Sequence, residues 1–295
     1  MIRKDILILK GDRPNTEKTG SFLTWKNLTS IGKDNYFLEQ YSDMIFTIIN
    51  GEVSITSAVT GRDVASYDLV YIRDLGHEEV RNTIALYLEK RNKAFINSEL
   101  KQRQYPSKLI QYVAYADAGL AVPDTAYANV KHRERALGLL GARFPLVIKS
   151  TTGSNGNDNF LVSSLEELNS LDMTAACVIQ PFLENKFDYR IVVAENDILI
   201  AYRRVRSGDG YRNNISQGGS RELINDLPRE LADMAVQAAR AVNRDLAGVD
   251  ILVAEKTGRP YILEVNFNYG TPEFDTKTDT DYFEKLANFL RKRAS

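Results

Sequence analysis

The sequence has little of the side-chain chemistry on which many enzymes depend. Cys177 is the single cysteine, which excludes an intramolecular disulfide and any zinc site built from several cysteines. The two histidines, His77 and His132, each lie among charged residues, so neither a histidine-based triad nor a histidine-ligated metal is expected. The chemistry of this chain is therefore expected to use Lys, Arg, Asp, Glu and Asn side chains.

Excess charge of one sign and long apolar runs are also missing. The formal net charge is −1, so no global field attracts nucleic acid or an anionic membrane surface. No apolar run approaches the roughly 18 residues that indicate a membrane span, and the first residues lack the pattern of a signal peptide. With 43% hydrophobic residues among 295, the chain is predicted to be a globular protein of the cytoplasm with two or three subdomains.

Two apolar runs near the C-terminus carry oxygen ligands where a strand would normally hold Val or Ile. Asp250 interrupts the first run, Glu264 lies in the second, and Asn266 directly follows it. A three-residue loop at 256–258 would place Asp250 opposite Glu264, with Asn266 on the same face. Two carboxylates and an amide oxygen so close together predict a Mg²⁺ site, with a solvated polar hairpin as the alternative.

A second motif combines a lysine with a glycine-rich loop. A strand is predicted at 144–149, ending in Lys149, and another at 160–162. The loop between them has small residues whose backbone N–H groups can approach phosphate oxygens: Gly153, Ser154, Asn155 and Gly156. It is neither a Walker loop nor a Rossmann fingerprint, because no Gly-Lys-Ser/Thr follows and the loop leads into a strand. A hairpin loop without a ligand is the alternative.

The first part of the chain, residues 1–102, alternates strand-like runs with looser polar segments, which favours a small α/β sheet domain. Strands are predicted at 6–9, 44–49, 53–55, 69–72 and 93–96, a helix at 80–88 and a loop at 11–21. We expect that loop to be a solvated connector, although a loop after the carboxyl end of a strand can also hold a ligand.

Several Lys and Arg side chains lie where a nearby anion would stabilise their positive charge. Lys108 lies in the first turn of a predicted helix, where the helix dipole alone disfavours a positive charge. Arg203 and Arg204 end a predicted strand, and as neighbours they must face opposite sides of the sheet. One of them is therefore expected to point towards Asp188 and Arg190 or towards the predicted cation site.

The order and spacing of these parts resemble the ATP-grasp superfamily, and within it the ligases that add glutamate to ribosomal protein tails. The resemblance covers roughly Lys108 to Ser295 and rests on the two lysines, the glycine-rich loop, the segment 180–183 and the three metal candidates. It implies an α+β ATP-grasp fold, two subdomains clasping ATP, after a small α/β domain. The expected boundaries are 1–102 for the α/β, substrate-side domain, 103–179 for the small subdomain with the loop, and 180–295 for the subdomain with the Mg²⁺ site.

The resemblance also implies site residues. ATP would contact Lys108, Lys149, Gly153, Ser154, Asn155, Gly156, Gln180, Phe182, Leu183, Glu184, Lys186 and Asp188. Two Mg²⁺ ions, with Mn²⁺ as an alternative, would bind Asp250, Glu264 and Asn266. Catalysis would use Arg190, Arg203, Arg204 and Asn214. Adenine would bind the main chain of Phe182 and Leu183, ribose would lie near Glu184 or Asp188, and Lys186 would lie near the base or phosphates; Arg190 would lie near the γ-phosphate.

The implied reaction is an ATP- and Mg²⁺-dependent condensation of a carboxylate with an amine through an acyl phosphate. The expected partners are an amino acid such as glutamate and a peptide or protein acceptor, and a homo-oligomer is left open. This chemistry needs charge neutralisation rather than a covalent nucleophile, which agrees with the residue types present. The alternatives are a ligase that makes side-chain amide or ester crosslinks in a ribosomal peptide, and an ATP-binding regulatory module without turnover.

Two segments depart from the pattern of the glutamate-adding ligases. Ile215, Ser216 and Gln217 stand where those ligases tend to have His and Arg. The segment 267–270 replaces a small residue followed by Ser-Pro-Gly. Both segments border the acceptor side in the implied fold, so the amino acid or peptide that is recognised is expected to differ.

Overall fold

The computed structural model describes residues 2–13, 15, 19–74, 76–102, 107–150, 159–171, 176–205, 220–271, 274 and 276–294. The strands are β1 (Asp5–Lys10), β2 (Asn35–Gln40), β3 (Met44–Ile49), β4 (Glu52–Ser57), β5 (Leu69–Ile72), β6 (Ala94–Ile96), β7 (Ala126–Asn129), β8 (Leu146–Ser150), β9 (Asn159–Val162), β10 (Ala176–Pro181), β11 (Phe187–Ala194), β12 (Asp197–Val205), β13 (Ser220–Leu223), β14 (Leu246–Val253) and β15 (Pro260–Asn266). The α-helices are α1 (Gly20–Ile31), α2 (Glu78–Lys90), α3 (Lys108–Asp117), α4 (Arg133–Leu140), α5 (Leu165–Ser170), α6 (Arg229–Ala241) and α7 (Thr276–Arg293). Short 3₁₀ helices lie at Tyr41–Asp43, Val64–Ser66, Ser98–Gln102 and Val130–His132. Within this part of the chain, no helix combines the length and the apolar character that a membrane crossing requires.

The first sheet is parallel, in the order β2-β1-β5-β6. Its central strands β1 and β5 are buried almost throughout, which explains why both are continuous apolar runs rather than alternating ones. The strands β3 and β4 form a separate antiparallel hairpin beside it. The mixed α/β sheet predicted for the first part of the chain is therefore present.

Two elements of this region, α1 and β2, were not predicted from the sequence. The buried residues of α1 are Ser21, Thr24 and Leu28, so two of the three are small polar residues and the apolar periodicity is weak. In β2 only Tyr36 and Glu39 are buried. The predicted loop therefore ends earlier than expected, because Gly20 already begins α1.

The second sheet is antiparallel, in the order β7-β10-β8-β9. Cys177 is fully buried on β10, and burial raises the pKa of its thiol, which fits a structural rather than a reactive cysteine. After β9 the chain enters α5, where the Ser164 hydroxyl accepts a hydrogen bond from the Glu167 N–H at 3.1 Å. The Ser164 side chain therefore caps the beginning of that helix.

The third sheet is antiparallel, in the order β13-β12-β11-β14-β15, and its two faces differ. One face is apolar and packs against α3 and α6, through residues such as Ile191, Val249 and Val265. The other face is apolar only at one end, where Val192 and Leu246 join the core shared with α7 and the first sheet. The rest of this second face carries charged side chains, and it is the position of the candidate site.

The β14–β15 hairpin has the predicted pairing but a different turn. Asp250 lies opposite Glu264, as expected, and Asn266 lies opposite Gly248. The turn is longer than three residues, because the Ala254 N–H donates to Arg259 O at 3.0 Å. A register shift after Asp250 restores the predicted pairing by leaving one extra residue on β15.

Candidate active site

Four charged side chains form a row across the third sheet. On β11, Asp188 and Arg190 are two residues apart and therefore share a face. The register places Asp188 opposite Arg204 of β12, and Arg190 opposite Asp250 of β14. Each of the four is at most 8% exposed, so the row lies in the interior of the molecule. We call these four residues the ionic row.

The ionic row is joined by charge-assisted hydrogen bonds. Arg190 holds the Asp250 carboxylate with two nitrogens, Nε to Oδ1 and Nη2 to Oδ2, the second at 3.0 Å. Arg204 bridges the two carboxylates, with Nε 2.6 Å from Asp188 Oδ1 and Nη2 3.0 Å from Asp250 Oδ2. Asp250 is therefore held on both oxygens by two guanidinium groups, a geometry that fixes the carboxylate in one orientation.

The charges within the ionic row balance, two positive against two negative. Burial opposes ionisation of Asp250, but the guanidinium groups of Arg190 and Arg204 outweigh it and lower the pKa of the carboxyl group. Removing one member of such a buried set costs about 3–5 kcal/mol, because its partner is left charged and unpaired. The row is therefore expected to act as a unit.

A close approach of the backbone keeps Arg190 in place. Its Nη1 donates to Tyr269 O at 2.9 Å, on the segment that follows β15. At Gly248 of β14, an added Cβ would lie 2.4 Å from Tyr269 Cβ and 2.9 Å from Arg190 Cδ. Only glycine fits there, because any side chain would displace one of the two residues.

Beside the ionic row, β15 presents two further oxygen-bearing side chains. Glu264 pairs with Asp250, and Asn266 lies two residues further along the same face; both are half-buried. Next to them, Leu263 O accepts a hydrogen bond from the Tyr112 hydroxyl, and the Val265 N–H donates to the Gln111 side chain. A carboxylate and an amide next to a fixed carboxylate form an oxygen-only donor set, which fits Mg²⁺. Among the described residues no group of three or more His, Cys, Asp or Glu forms a metal cluster, so the set depends on Asn266.

The predicted phosphate lysines lie at the edge of the same strand. Lys149 Nζ is 3.3 Å from the Tyr112 hydroxyl, which itself donates to Leu263 O of β15 at 3.2 Å. Lys149 of the second sheet therefore reaches the strand that carries Glu264. Lys108 is the first residue of α3, the helix that also carries Tyr112. Lys149 is thus connected through Tyr112 to the strand of Glu264, and Lys108 lies four residues before Tyr112 on α3.

The segment between β10 and β11 carries the residues predicted to contact adenine. Gln180 is buried and donates to the Thr125 hydroxyl at 2.8 Å. The Phe182 N–H donates to Pro145 O at 3.0 Å, so this N–H is not available to adenine. The Phe182 carbonyl oxygen and the main chain of Leu183 are left for that role.

Two other predicted contacts lie at the exposed turn of the β14–β15 hairpin. Lys186 pairs with Glu255 at 2.8 Å, and its side chain is 75% exposed. Glu184 pairs with Lys256 at 3.5 Å, also in solvent. These ion pairs connect the segment before β11 to the turn, and neither residue joins the ionic row.

The ionic row bears on two residues of the sequence analysis. Asp188, one of the two candidates for the ribose contact, is buried and bonded to Arg204, whereas Glu184, the other candidate, lies in solvent. Arg203 faces the opposite side of the sheet from Arg204, with its guanidinium 4.5 Å from the Phe187 ring and 5.7 Å from the Tyr189 ring. The expectation that one of the adjacent arginines points inward is met, and that residue is Arg204.

The remaining predicted residues, Asn214 and the glycine-rich loop residues 153–156, lie outside the described residues. Conversely, the structure reveals contributors that the sequence analysis did not single out. Gly248 was detectable, because a glycine inside an apolar strand next to Asp250 signals a close backbone approach. Tyr269 and Tyr112 carried no such signal, since their roles depend on contacts between distant parts of the chain.

Comparison with known proteins agrees with this arrangement of sheets. A family model described as a RimK-like ATP-grasp domain matches residues 108–290, more than half of the chain. The chain belongs to this family.

Individual relatives and structures extend the likeness beyond the family model. A probable alpha-L-glutamate ligase of Aeromonas salmonicida is 29% identical, over 80% of each chain. A ribosomal protein bS6–L-glutamate ligase of Salmonella schwarzengrund is 26% identical, again over 80% of each. The solved structure of the ATP-grasp ligase PsnB with minimal precursor, Mg and ADP superposes with a TM-score of 0.71 at 18% identity, covering 98% of this chain and 97% of that one.

These findings confirm three of the predictions. The resemblance is correct, the fold is of the α+β ATP-grasp type, and the protein is an enzyme, an ATP-grasp ligase. The domain boundaries at 102 and 179 and the roles of individual site residues stay predictions. The family match begins at residue 108, close to the first predicted boundary.

Proposed function

We propose that this ligase uses ATP and Mg²⁺ to join an amino acid, glutamate in the first instance, to a carboxylate of a peptide or protein acceptor. The ionic row beside Glu264 and Asn266 is the observation that carries the proposal, because it holds Asp250 ready as a third oxygen ligand. The relatives named as glutamate ligases support the amino acid, and the PsnB complex with precursor, Mg and ADP supports a peptide acceptor, the nucleotide and the metal.

The proposed metal ligands are Asp250, Glu264 and Asn266, which accept Mg²⁺ or Mn²⁺; two ions are proposed. When bound, the metal supplies positive charge that neutralises the phosphate oxygens during transfer. The protein's own part is to keep the ligands in place. Arg190 and Arg204 fix the orientation of Asp250, and the β14–β15 pairing fixes its separation from Glu264.

The proposed reaction has two steps. A carboxylate oxygen of the acceptor attacks the γ-phosphorus of ATP, so an O–P bond forms, the P–O bond to ADP breaks, and an acyl phosphate results. The amino group then attacks the acyl carbon, so a C–N bond forms, the C–O bond breaks, and phosphate and a proton leave. Lys149 and Lys108 are proposed to hold the phosphates, and Arg204 the developing negative charge, since no covalent nucleophile is needed.

The other nucleotide contacts are proposed from the family. Adenine would use the Phe182 carbonyl and the Leu183 main chain, with Gln180 supporting the segment through Thr125. Gly153, Ser154, Asn155 and Gly156 would surround phosphate oxygens, and Asn214 would lie near the transferred phosphoryl group. Glu184 and Lys186 are proposed only as ribose and phosphate contacts that form if their ion pairs with the hairpin turn open.

The decisive experiment measures ADP release together with the mass of the acceptor. The full chain is incubated with ATP, Mg²⁺, L-glutamate and peptides that end in an acidic residue. We expect ADP release that requires Mg²⁺ and peptides heavier by one or more glutamate residues. A peptide that instead loses water would indicate an internal crosslink and contradict the glutamate assignment. ATP binding without any ADP release would contradict ligation altogether.

A further inference from the structure

A second cluster of buried cations lies at the carboxyl ends of the parallel strands. Lys10 ends β1, Arg73 directly follows β5, and both are 0% exposed. Arg81, in the first half of α2, is 5% exposed. The carboxyl edge of a parallel sheet is where α/β folds commonly hold ligands. None of these three cations takes part in the site described above.

The guanidinium of Arg73 is only partly satisfied by the described residues. Its Nη1 donates to the Tyr71 hydroxyl at 2.8 Å, whereas Nε and Nη2 have no hydrogen-bond partner. The neighbouring carboxylate, Asp74, is 4.0 Å from Nε and is engaged elsewhere. It accepts from the Ser21 hydroxyl at 2.6 Å and from the Gly11 N–H at 3.3 Å. The donor positions at Nε and Nη2 of this fully buried guanidinium can therefore take a further acceptor group.

The other two cations differ in the contacts they make. Lys10 donates to the main-chain oxygen of Gly11 at 3.0 Å and to that of Arg13. The carboxylates of Asp74, Asp12 and Asp43 stabilise its positive charge. Arg81 has a buried Nε without a partner among the described residues. Arg73 and Arg81 are therefore the cations of this cluster that keep nitrogens without a hydrogen-bond partner among the described residues.

The N-terminus of α1 points into the same cluster. Gly20 is the first residue of this 12-residue helix, and a Cβ added to it would lie 3.7 Å from Arg73 Nη2. The first turn of this helix has no acidic residue. Backbone N–H groups at a helix N-terminus and the nitrogens of a guanidinium can both donate hydrogen bonds to the same planar anion.

The cluster is connected to the ligase site. The Arg73 guanidinium carbon is 5.5 Å from the centre of the Tyr269 ring, and the main-chain oxygen of Tyr269 accepts from Arg190 of the ionic row. The Arg81 guanidinium carbon is 5.6 Å from the Phe267 ring. Both arginines therefore contact the segment after Asn266, where this sequence departs from the glutamate-adding pattern.

We propose that Arg73, Arg81 and the N-terminus of α1 bind a carboxylate of the amino-acid substrate that does not react. An acidic amino acid has two such carboxylates when its amino group is the nucleophile, so one of them can enter this site. The planar fork of the arginine guanidinium matches the two oxygens of a carboxylate. It matches a spherical anion less well. The inference rests on the proposed function. It adds that residues at the first sheet recognise the amino-acid substrate by its side-chain carboxylate or its α-carboxylate.

The test is calorimetric titration of the full chain, with and without ADP and Mg²⁺, using L-glutamate, L-glutamine and inorganic phosphate as separate probes. We expect L-glutamate to bind the unmodified protein more tightly than L-glutamine. In Arg81→Met and Arg73→Lys, the affinity for L-glutamate should fall about 10- to 100-fold, as expected for hydrogen bonds to a charged group. The matched control is Arg91→Met, which removes an exposed arginine just after the same helix and should leave binding unchanged.

Several outcomes would overturn this inference. These are no L-glutamate binding to the unmodified protein in either condition, unchanged affinity in both cluster variants, and phosphate binding in place of L-glutamate. Circular dichroism checks folding, and if Arg73→Lys does not fold, Arg81→Met alone decides. ADP release by the unmodified protein separates the two ideas. If the unmodified protein releases ADP but both cluster variants keep its affinity for L-glutamate, only the carboxylate site is refuted. If the unmodified protein releases no ADP, the proposed function is refuted, and the titrations with L-glutamate still decide whether the carboxylate site exists.

Discussion

Arg190 Nη1 donates to the main-chain oxygen of Tyr269, 2.9 Å away, and so connects the centre of the third sheet to the segment after β15. The same guanidinium holds both oxygens of Asp250. One side chain therefore positions a proposed metal ligand and the segment that we expect to border the acceptor side. A substitution at Asp250 is therefore expected to displace the segment after β15, and a substitution in that segment is expected to displace Asp250.

The close approach at Gly248 can be tested with a single methyl group. Gly248→Ala would place a Cβ 2.4 Å from Tyr269 Cβ, which forces Arg190 or Tyr269 to move. We expect a loss of about 1–3 kcal/mol in the free energy of unfolding. The rate of ADP release should fall by about tenfold or more, because small displacements of catalytic groups are costly. Thermal unfolding and a coupled ADP assay measure the two effects.

The control for that variant is Gly138→Ala. Gly138 lies on α4, and nothing lies within 4 Å of an added Cβ there. This change should leave ADP release as it was and should stabilise the helix by about 0.5–1 kcal/mol. Equal losses of activity in both variants would contradict the role given to the close approach.

The neighbouring arginines on β12 provide a matched pair. Arg204→Met removes a bridge between two buried carboxylates, so we expect a loss of about 3–5 kcal/mol in stability and of nearly all ADP release. Arg203→Met removes only contacts with the Phe187 and Tyr189 rings on the other face, worth about 1 kcal/mol. Activity retained by Arg204→Met, or abolished by Arg203→Met in a folded protein, would show that the faces are assigned wrongly.

Asp250 should make stability depend on pH at the acid end. Burial disfavours its charge, but Arg190 and Arg204 lower its pKa below the ordinary value of 3.8. Its contribution is therefore complete above that value and is lost as the pH falls through the lower pKa of the folded state. Asp250→Asn should remove this acid-dependent part while leaving the protein less stable at neutral pH. The measurement is urea unfolding between pH 6 and acid pH, and parallel curves for the two proteins would contradict the ion pairs.

Glu99 is expected to give the opposite pH dependence. Burial raises its pKa to about 7, and the nearby Arg244, at 3.3 Å, offsets part of that effect. Because the pKa is raised, its contribution to stability is complete below the ordinary value of 4.5 and is lost as the pH rises through about 7. Relative to Glu99→Gln, the unmodified protein should lose about 2–3 kcal/mol between pH 5 and pH 8. A difference independent of pH would contradict the raised pKa.

The parts of the site that could be predicted are those that local patterns specify. The alternation of Asp250, Glu264 and Asn266 with apolar residues fixes their shared face, and adjacent Arg203 and Arg204 must face opposite sides. The pairing of Asp250 with Glu264 was correct although the turn was not, since a register shift compensated for the longer loop.

The parts that could not be predicted depend on contacts between distant segments. No local pattern indicates that Tyr112 connects Lys149 to β15, or that Tyr269 accepts from Arg190. The same limit explains the unpredicted α1, whose buried residues include Ser21 and Thr24. These pack because Ser21 bonds to Asp74 and Thr24 bonds to Thr271, 247 residues away in the sequence.

The strand β15 is at the edge of the third sheet, yet its outer side is closed. The Val265 N–H donates to the Gln111 side chain at 2.9 Å, Leu263 O accepts from Tyr112, and the Ile262 N–H donates to Ala121 O at 2.9 Å. These three backbone groups are therefore not available to an incoming strand. Under the proposed function, we expect an acceptor tail to reach Glu264 across the face of the sheet rather than by extending its edge.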